Sequence, residues 1–447
     1  MSTVDTMPHR RWIFLAVIST GLFLLGVDNS ILFTALPQLQ ELLGATDLQA
    51  LWIINAYPLV MSGLLLGTGT LGDRIGHRRM FLIGLALFTS GSLCSGLAPG
   101  PWWLVAARAL LGFGAATMMP ATLALIRHTF SRPRELNIAI GLWGAVAMVG
   151  SAMGPVIGGA LLEHFWWGSV FLINVPVGIL ALALTPLVAP PNVADPTRRW
   201  DIHSSALALV FLVAMVLAIK IHQPRVLLPL LVLAVVTGWA FGRRQHRLAE
   251  PLLELAIFKN PVFSGGVLAA AAACFISAGM EFMTTQRLQL ALGMTPLEAG
   301  LTVTVAAAAA MPMSVLGGAI LHRTGFVPLI SGGFLLCAVG CAVTVLAVLG
   351  GGHGVLLIGL AFIGAGCGAV MSVSSTAIVG SAPLNRAGMA SGVEEVSYEF
   401  GHLLAVAILG TTWAQISPYD AAYLAAIGIL TAVAVASAAV TARCLRA

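Results

Sequence analysis

The chain has 447 residues, of which 59% are hydrophobic and only 9% charged, and its formal net charge is +5. This composition excludes a soluble globular domain, because about a quarter of the residues in such domains are charged. Apolar runs of about 20 residues recur, each long enough to cross about 30 Å of hydrocarbon as a helix. We therefore expect an all-α polytopic membrane protein. Its basic residues lie in short loops between spans, so they indicate topology rather than a nucleic-acid partner.

The apolar runs predict about fourteen transmembrane helices. The first six cover residues 12–36, 51–71, 80–98, 102–126, 138–162 and 168–189. A shorter pair covers residues 204–219 and 226–241. The last six cover residues 262–285, 297–321, 326–349, 355–379, 387–413 and 421–442.

The basic residues fall mostly on one side of this topology. With the amino terminus inside, 18 of the 22 Lys and Arg residues lie in cytoplasmic loops or termini, while Lys220, Arg225 and Arg287 lie outside and Arg108 lies within a span. Positive charge accumulates in the cytoplasmic loops of membrane proteins. We therefore expect a multi-pass protein of the inner (plasma) membrane with both termini in the cytoplasm.

Two sequence blocks recur in the second half of the chain. Residues 69–76 (GTLGDRIG) recur as residues 318–325 (GAILHRTG), and LGFG at 111–114 is echoed by IGAG at 363–366. Matching helices lie eight spans apart. This predicts two six-helix bundles, 1–190 and 251–447, with a two-helix hairpin, 191–250, inserted between them. Secondary transporters are commonly built from such repeats and bind substrate where the repeats meet.

Two opposite charges lie inside predicted spans at a similar depth, Asp28 in the first and Arg108 in the fourth. An ionisable side chain inside the membrane costs about 2.5–3.5 kcal/mol on insertion scales and is a functional hypothesis by default. We expect the two side chains to pair. Burial favours a neutral carboxyl whereas a neighbouring guanidinium favours a carboxylate, and such opposition suits a group that gains and loses a proton in each cycle. The alternative is that Asp28 only neutralises Arg108 structurally.

The loop between the second and third spans combines glycines with charges. Gly69 and Gly76 permit a tight turn between helices, while Asp73, Arg74 and Arg78 can hold a helix end of the other half through charge and dipole contacts. The alternative is a loop whose charges only set the topology, as in most short cytoplasmic loops.

A stripe of small residues marks the fifth span. Gly150, Gly154 and Gly158 recur every four residues, followed by Gly159, and present a flat surface on which another helix can pack. Pro155 removes a backbone donor and bends the helix. Simple close packing explains this pattern as well as a switching role does.

Acidic side chains stand out in the second half. Glu281 lies towards the outer end of the ninth span, and Glu394, Glu395 and Glu399 share the thirteenth span with His402. Glu395 and Glu399 lie four residues apart, and therefore on one helix face. Crowded carboxylates oppose one another's ionisation, so this cluster can store protons. The alternatives are an interfacial Glu281 and a solvated Glu394 and Glu395 at the cytoplasmic edge.

Aromatic and methionine side chains suggest where a drug would bind. We expect Tyr57, Met118 and Phe282, and less specifically Trp52 and Met119, to line a pocket that adapts to varied cations. Ordinary packing is the alternative for each.

The six cysteines form no CxxC motif and predict neither a disulfide framework nor a metal site. We expect no cofactor and, without a nucleophile motif, no enzymatic activity.

The following blocks, in this order along the chain, resemble the fourteen-helix drug:proton antiporter branch of the major facilitator superfamily, which includes QacA-like and SmvA-like exporters. They are the first-helix motif at 27–37, the GxLxDRxGxR loop at 69–79, the arginine motif at 104–116, the antiporter motif at 150–159 and a further block at 166–178. This chain departs from the family in having His77 in the loop motif, Leu111 in the arginine motif and His322 in place of the second-half acid. The resemblance implies the major facilitator fold, with switching carried by the two glycine blocks.

The sequence thus predicts a proton-coupled antiporter that exports lipophilic cationic drugs, such as quaternary ammonium compounds and dyes, by alternating access. External protons would neutralise Asp28 and one or more of Glu281, Glu395 and Glu399, which weakens cation binding in the outward state. The expected partners are protons, small lipophilic cations and the lipid bilayer, and a periplasmic adaptor stays undetermined. Two alternatives are an exporter of one metabolite or antibiotic on the same fold, and a non-transporting receptor or scaffold, which the buried charges disfavour.

Overall fold

The computed structural model of the chain describes residues 8–130, 132–195, 201–220, 223–248, 251, 253–381 and 387–445. Within these residues the structure is helical and contains no β-strand. The helices are α1 (Pro8–Leu43), α2 (Asp47–Ile75), α3 (His77–Gly96), α4 (Pro101–Thr129), α5 (Pro133–His164), the single turn α6 (Ser169–Leu172), α7 (Asn174–Val188), α8 (Ile202–Lys220), α9 (Pro224–Gln245), α10 (Pro261–Leu290), α11 (Pro296–Thr324), α12 (Phe326–Leu346), α13 (Gly352–Ser381), α14 (Ala387–Gln415) and α15 (Tyr419–Cys444). A 3-10 helix (Leu255–Lys259) precedes α10, and a π-helical turn (Ala347–Gly351) precedes α13.

Each of the fourteen predicted spans contains most or all of an α-helix of 15 residues or more. By length and hydropathy, ten described stretches can each cross a membrane, and the longest of them, Phe326–Ser381, contains both α12 and α13. In α8 the apolar stretch is shorter, Ile202–Met215. The all-α fold is therefore confirmed with ten to fourteen candidate spans among the described residues, and the count of fourteen stays a prediction.

The helices form two compact units, residues 1–206 and residues 207–447. In the first unit, α1 packs on α5 and α7, and α4 packs on both α2 and α3. In the second unit, α10 packs on α14 and α15, and α13 packs on both α11 and α12. The same order of contacts therefore occurs in each unit, with α1–α5 matching α10–α14 and α7 matching α15. This is the packing that an internal repeat requires.

Local structure repeats along with the packing. Thr46 before α2 and Thr295 before α11 each form a capping box with the Gln or Glu three residues later. Gly76, between α2 and α3, and Gly325, between α11 and α12, have φ values of 96° and 78°, which favour glycine. Both pairs have the same offset, since 295 − 46 and 325 − 76 are each 249. The turn chemistry of the two units is therefore the same.

The glycine pairs at 111–114 and 363–366 have equivalent roles. A Cβ atom on Gly112 would meet the backbone of α2, and one on Gly114 would meet the backbone of α3. In the second unit, a Cβ on Gly364 would meet the backbone of α11 and one on Gly366 the backbone of α12. Each central helix therefore touches two neighbours at backbone distance, which a larger side chain would prevent.

Two predicted boundaries need correction. The sixth span is divided, because α6 ends at Leu172 and α7 begins at Asn174. Pro176 lacks a backbone N–H, so the carbonyl of Leu172 has no donor four residues later. Arg287, predicted in an outer loop, lies instead in the last turn of α10, where its Nε donates to Asp420 Oδ1 at 2.7 Å. The helix therefore continues about five residues beyond the predicted apolar run, which ends at 285.

Candidate functional site

The first unit buries an ion pair between α1 and α4. Asp28 is 0% exposed and Arg108 is 1% exposed, and the guanidinium donates from Nη1 to Asp28 Oδ2. Breaking such a pair is costly, because the remaining charge is left buried and alone. The pairing predicted from the sequence is confirmed, whereas its role in proton coupling stays a prediction.

The guanidinium also contacts α2. Its Nε donates to the carbonyl oxygen of Ile53 at 3.2 Å, and its Cζ lies 4.8 Å from the centre of the Tyr57 ring. Gly112 follows Arg108 by one turn of α4 and lies against the backbone of Tyr57. The missing side chain at Gly112 thus brings α4 close enough to α2 for Arg108 to reach these groups.

A residue of α7 donates a second hydrogen bond to the Asp28 carboxylate. Asn174, at the start of α7, donates from Nδ2 to Asp28 Oδ1 at 3.3 Å and to Ser92 Oγ on α3 at 3.3 Å. Each carboxylate oxygen of Asp28 therefore has its own donor, one cationic and one neutral. Side chains from α1, α3, α4 and α7 and a carbonyl from α2 form this network.

The glycine stripe of α5 packs directly on the segment of α1 that carries the buried carboxylate. A Cβ on Gly150 would lie 2.6 Å from the carbonyl oxygen of Phe23, and one on Gly154 would lie 2.9 Å from that of Val27. Gly158 lies against the next turn of α1. The two other members of the block, Pro155 and Gly159, are buried within α5. The stripe therefore sets the distance between α5 and α1, the helix that carries Asp28.

The charged loop holds the carboxyl end of α7. Arg78 donates to the carbonyl oxygens of Pro186 and Pro190 at 3.0 and 3.4 Å. The side-chain amide of Asn192 bonds to the backbone on both sides of Gly76. Arginine at the carboxyl end of a helix is favoured because it meets unpaired carbonyls and the negative end of the dipole.

The remaining predicted residues of this block are Arg74, Gly69 and Asp73. Arg74 is exposed, and a Cβ on Gly69 would lie 3.8 Å from Pro120 in α4. The side chain of Asp73 lies outside the described residues. The prediction that this loop also holds a helix end of the other half stays a prediction.

The acidic cluster of the second unit lies on α14. Glu394 is buried and accepts a hydrogen bond from the Tyr398 hydroxyl at 2.9 Å, so it is not the solvated residue of the alternative prediction. Glu399 and His402 are also buried, and Glu395 is half-buried. Among the described residues, neither Glu395 nor Glu399 forms an ion pair. The unit therefore holds carboxyl groups that no arginine or lysine compensates within the described part of the chain.

Glu281 lies on α10, the repeat partner of α1. It is half-buried, and its Oε1 has no hydrogen-bond partner among the described residues. At the position equivalent to Arg108, α13 carries Leu360, which is fully buried. The paired charges of the first unit thus have no equivalent pair in the second, as the sequence predicts.

The predicted pocket residues lie inside the two units. Tyr57 and Met118 are fully buried, and the Met118 side chain contacts Gly21 of α1 and Gly84 of α3. Phe282 is buried in the second unit. Their role in binding a drug stays a prediction.

Most of the chain is similar in sequence to a known protein family. The sequence profile of the Major Facilitator Superfamily matches residues 18–406 and, in a second match, residues 262–443. The chain belongs to the Major Facilitator Superfamily. It is a multi-pass membrane transporter, not an enzyme, and the resemblance drawn from its motifs is confirmed.

Two curated relatives of this major facilitator are drug exporters or resistance proteins by name. The multidrug efflux pump LfrA of Mycolicibacterium smegmatis is 37% identical over 417 residues, which cover 92% of this chain and 82% of LfrA. The methyl viologen resistance protein SmvA of Salmonella typhimurium is 34% identical over 410 residues, which cover 90% of this chain and 82% of SmvA. Both relationships agree with the drug-exporter branch of the family.

A solved structure of the family shows the same fold. The crystal structure of a peptide transporter, POT, in complex with sulfate matches 98% of this chain and 96% of its own, with a TM-score of 0.72 and 14% identity. At this identity the likeness concerns the fold alone.

Sequence reasoning missed Asn174 as a member of the transporter's polar network. The residue stands in the block at 166–178, directly after the break between α6 and α7 and two residues before Pro176. A polar residue beside a helix break in an apolar run is the available signal, since such breaks are tolerated where neighbouring groups satisfy the backbone. Among the described residues no group of three or more His, Cys, Asp or Glu side chains is placed to hold a metal ion.

Proposed function

We propose that this major facilitator exports lipophilic cationic drugs from the cytoplasm in exchange for protons, by alternating access. Its relatives LfrA and SmvA are named for multidrug efflux and for resistance to methyl viologen, which is a quaternary dication. This supports drug export in general and cations as the preferred class. The substrate list follows from neither name.

The observation that carries the proposal is the buried Asp28 carboxylate with its two donors. With Asp28 ionised, the Asp28–Arg108 pair is neutral overall, and the site tolerates a cation. When a proton neutralises Asp28, the positive charge of Arg108 is left uncompensated and repels a cation in a medium of low dielectric constant. Proton binding and cation binding therefore oppose each other at this site, which is the requirement for antiport.

The acids of the second unit supply further protonation sites in this mechanism. Glu281, Glu395 and Glu399 lack ionic partners among the described residues, so each can exchange a proton without breaking an ion pair. Glu394 differs, because the Tyr398 hydroxyl donates to it. We assign it a supporting role in the same cluster.

The two glycine blocks would govern switching. The stripe of Gly150, Gly154 and Gly158 lies at backbone distance from the segment of α1 around Asp28. A movement of that segment when the charge of Asp28 changes would therefore displace α5 directly. Arg78 in the block at 69–79 would hold the start of α3 to the carboxyl end of α7 during the same movement.

The organisation inferred from the sequence completes the proposal. Two six-helix bundles, 1–190 and 251–447, flank a helical hairpin at 191–250, in the inner membrane with both termini in the cytoplasm. The packing order shared by the two units supports the repeat, and the distribution of basic residues supports the orientation.

The test measures proton movement in acid-loaded inverted membrane vesicles. Adding a quaternary ammonium dye should raise the pH of the lumen, because each dye cation that enters exchanges for protons that leave. Asp28→Asn should abolish this response at equal expression. The matched control is Asp47→Asn, which makes the same chemical change at an exposed position at the start of α2.

Retained dye-dependent alkalinisation in the Asp28→Asn protein would refute the role of Asp28. A response lost equally in Asp47→Asn would show that any carboxylate loss impairs the protein. If the dye does not change the lumen pH with the unmodified protein, although that protein transports another compound, the exporter is narrow in specificity.

A further inference from the structure

α9 exposes apolar side chains along most of its length, and one stripe of them leads to its carboxyl end. Leu228, Leu231, Val232 and Val235 recur at helical spacing and are exposed, and Trp239 continues the stripe with 62% of its surface exposed. From Leu228 to Trp239 the stripe rises about 16 Å at 1.5 Å per residue. That is about half of a 30 Å hydrocarbon core, or the depth of one leaflet.

The same face ends in a basic groove. Trp239, Gly242, Arg243, His246 and Arg247 line an open groove of about 600 Å³. Gly242 and Arg243 lie one helical turn after Trp239, and His246 and Arg247 lie one turn further on. The helical turn continues past the end of α9, since the His246 N–H donates to the Gly242 carbonyl at 3.2 Å. The Arg243 guanidinium carbon lies 5.2 Å from the centre of the Trp239 ring. Arg243, His246 and Arg247 are exposed.

Leu253 and Leu255 lie beside the helix end that carries the groove. Buried Gln245 accepts a hydrogen bond from the Leu253 N–H at 3.2 Å, which holds the chain after α9 against the helix end. At Gly242 the nearest atom to a Cβ would be the Leu255 Cδ1 at 4.0 Å. The absent side chain at Gly242 leaves the space between Trp239 and the two arginines open.

We propose that this groove binds the phosphate headgroup of an anionic phospholipid, whose acyl chains lie along the apolar stripe of α9. Arginine pairs well with phosphate oxygens, and tryptophan prefers the headgroup level of a bilayer. Basic pockets on the cytoplasmic side of membrane helices recognise such headgroups. An apolar stripe one leaflet deep that ends in positive charge matches a lipid, whereas a soluble anion would use only the groove. The proposal needs α9 to lie in the membrane, and it is independent of antiport.

The experiment measures lipid binding by the purified full-length protein in a nonionic detergent. Phosphatidylglycerol retained on the protein is counted by native mass spectrometry over a range of lipid concentrations. The double variant Arg243→Ala/Arg247→Ala should bind about thirtyfold more weakly, from the loss of two charges near the headgroup. Arg225→Ala removes an exposed arginine from the opposite end of the same helix and should leave binding unchanged.

Two further variants separate a built site from diffuse attraction. Arg243→Lys/Arg247→Lys keeps the charge and should keep most of the binding, which also shows that the position tolerates substitution. Gly242→Leu keeps every charge but fills the groove, and should weaken binding.

The proposal is overturned if the alanine pair binds as the parent does, or if Gly242→Leu has no effect. Equal retention of phosphatidylcholine would show an apolar lipid contact without headgroup recognition. Equal competition by inorganic phosphate would show a small-anion site instead.

Discussion

Replacing Arg108 by methionine should destabilise the protein by about 3–5 kcal/mol, the usual result of removing one partner of a buried ion pair. Asp28 is fully buried and would keep only the Asn174 donor. The carbonyl of Ile53 would also lose the Arg108 Nε donor, which costs less because this carbonyl lies within α2 and keeps its helical hydrogen bond. The flexible methionine side chain fills part of the space, which offsets some of this loss.

Removing both charges should restore much of the stability. In Asp28→Leu/Arg108→Met no buried charge is left without its partner, and apolar replacements of buried ion pairs are often neutral. We expect the double variant to be at least about 2 kcal/mol more stable than Arg108→Met alone. Transport should nevertheless be lost in both, because neither keeps the intact Asp28–Arg108 pair.

The assay is unfolding of the purified protein in mixed micelles of increasing SDS fraction, followed by tryptophan fluorescence. Arg287→Met is the matched control, since its partner Asp420 has 52% of its side chain exposed. That pair is hydrated on one side, so its loss should cost about 1 kcal/mol. The reasoning fails if Arg108→Met unfolds like the parent, or if the double variant is no more stable than the single one.

Two other substitutions test the packing around the same site, by the same unfolding assay. Gly154→Ala would place a Cβ 2.9 Å from the Val27 carbonyl oxygen, so we expect a loss of about 1–3 kcal/mol from overpacking. Gly428→Ala, on α15 with no heavy atom within 4 Å of its Cβ, should be neutral or slightly stabilising, and equal losses at both glycines would contradict the close contact of α5 with α1. Asn174→Ala should cost about 1–3 kcal/mol, because buried Asp28 and Ser92 each lose a donor. The same change in an Asp28→Leu background should cost less, and an undiminished cost would mean that Asn174 does not act through Asp28.

The helices themselves follow from local sequence. In a bilayer every backbone polar group must be satisfied within its own segment, so a long apolar run leaves the chain few choices other than a helix. Thr46 and Thr295 end their loops with capping boxes, and Gly76 and Gly325 adopt positive φ values that other residues resist. These signals depend on neighbours a few residues away, and the internal repeat is visible in them.

The pairing of Asp28 with Arg108 was also predictable, because two opposite charges at similar depth in apolar spans have few other partners. Asn174 was not, because its position against Asp28 depends on the break between α6 and α7 and on how α7 is rotated against α1. The same limit applies to Glu394, whose burial and contact with Tyr398 depend on the rotation of α14.

The sequence by itself determined that this is a helical membrane transporter with an internal repeat and a buried acid paired to an arginine, since hydropathy, glycine spacing and charge are properties of single segments. Tertiary structure alone decided which polar groups complete the site. The partners of Asp28 come from positions 80 and 146 residues away. The position of α4, which carries Arg108, depends on backbone contacts such as that of Gly112 with Tyr57 on α2. A hydrogen bond requires its donor and acceptor atoms to lie within a few tenths of an ångström of the ideal separation. Only the packing of the helices fixes interatomic distances that closely.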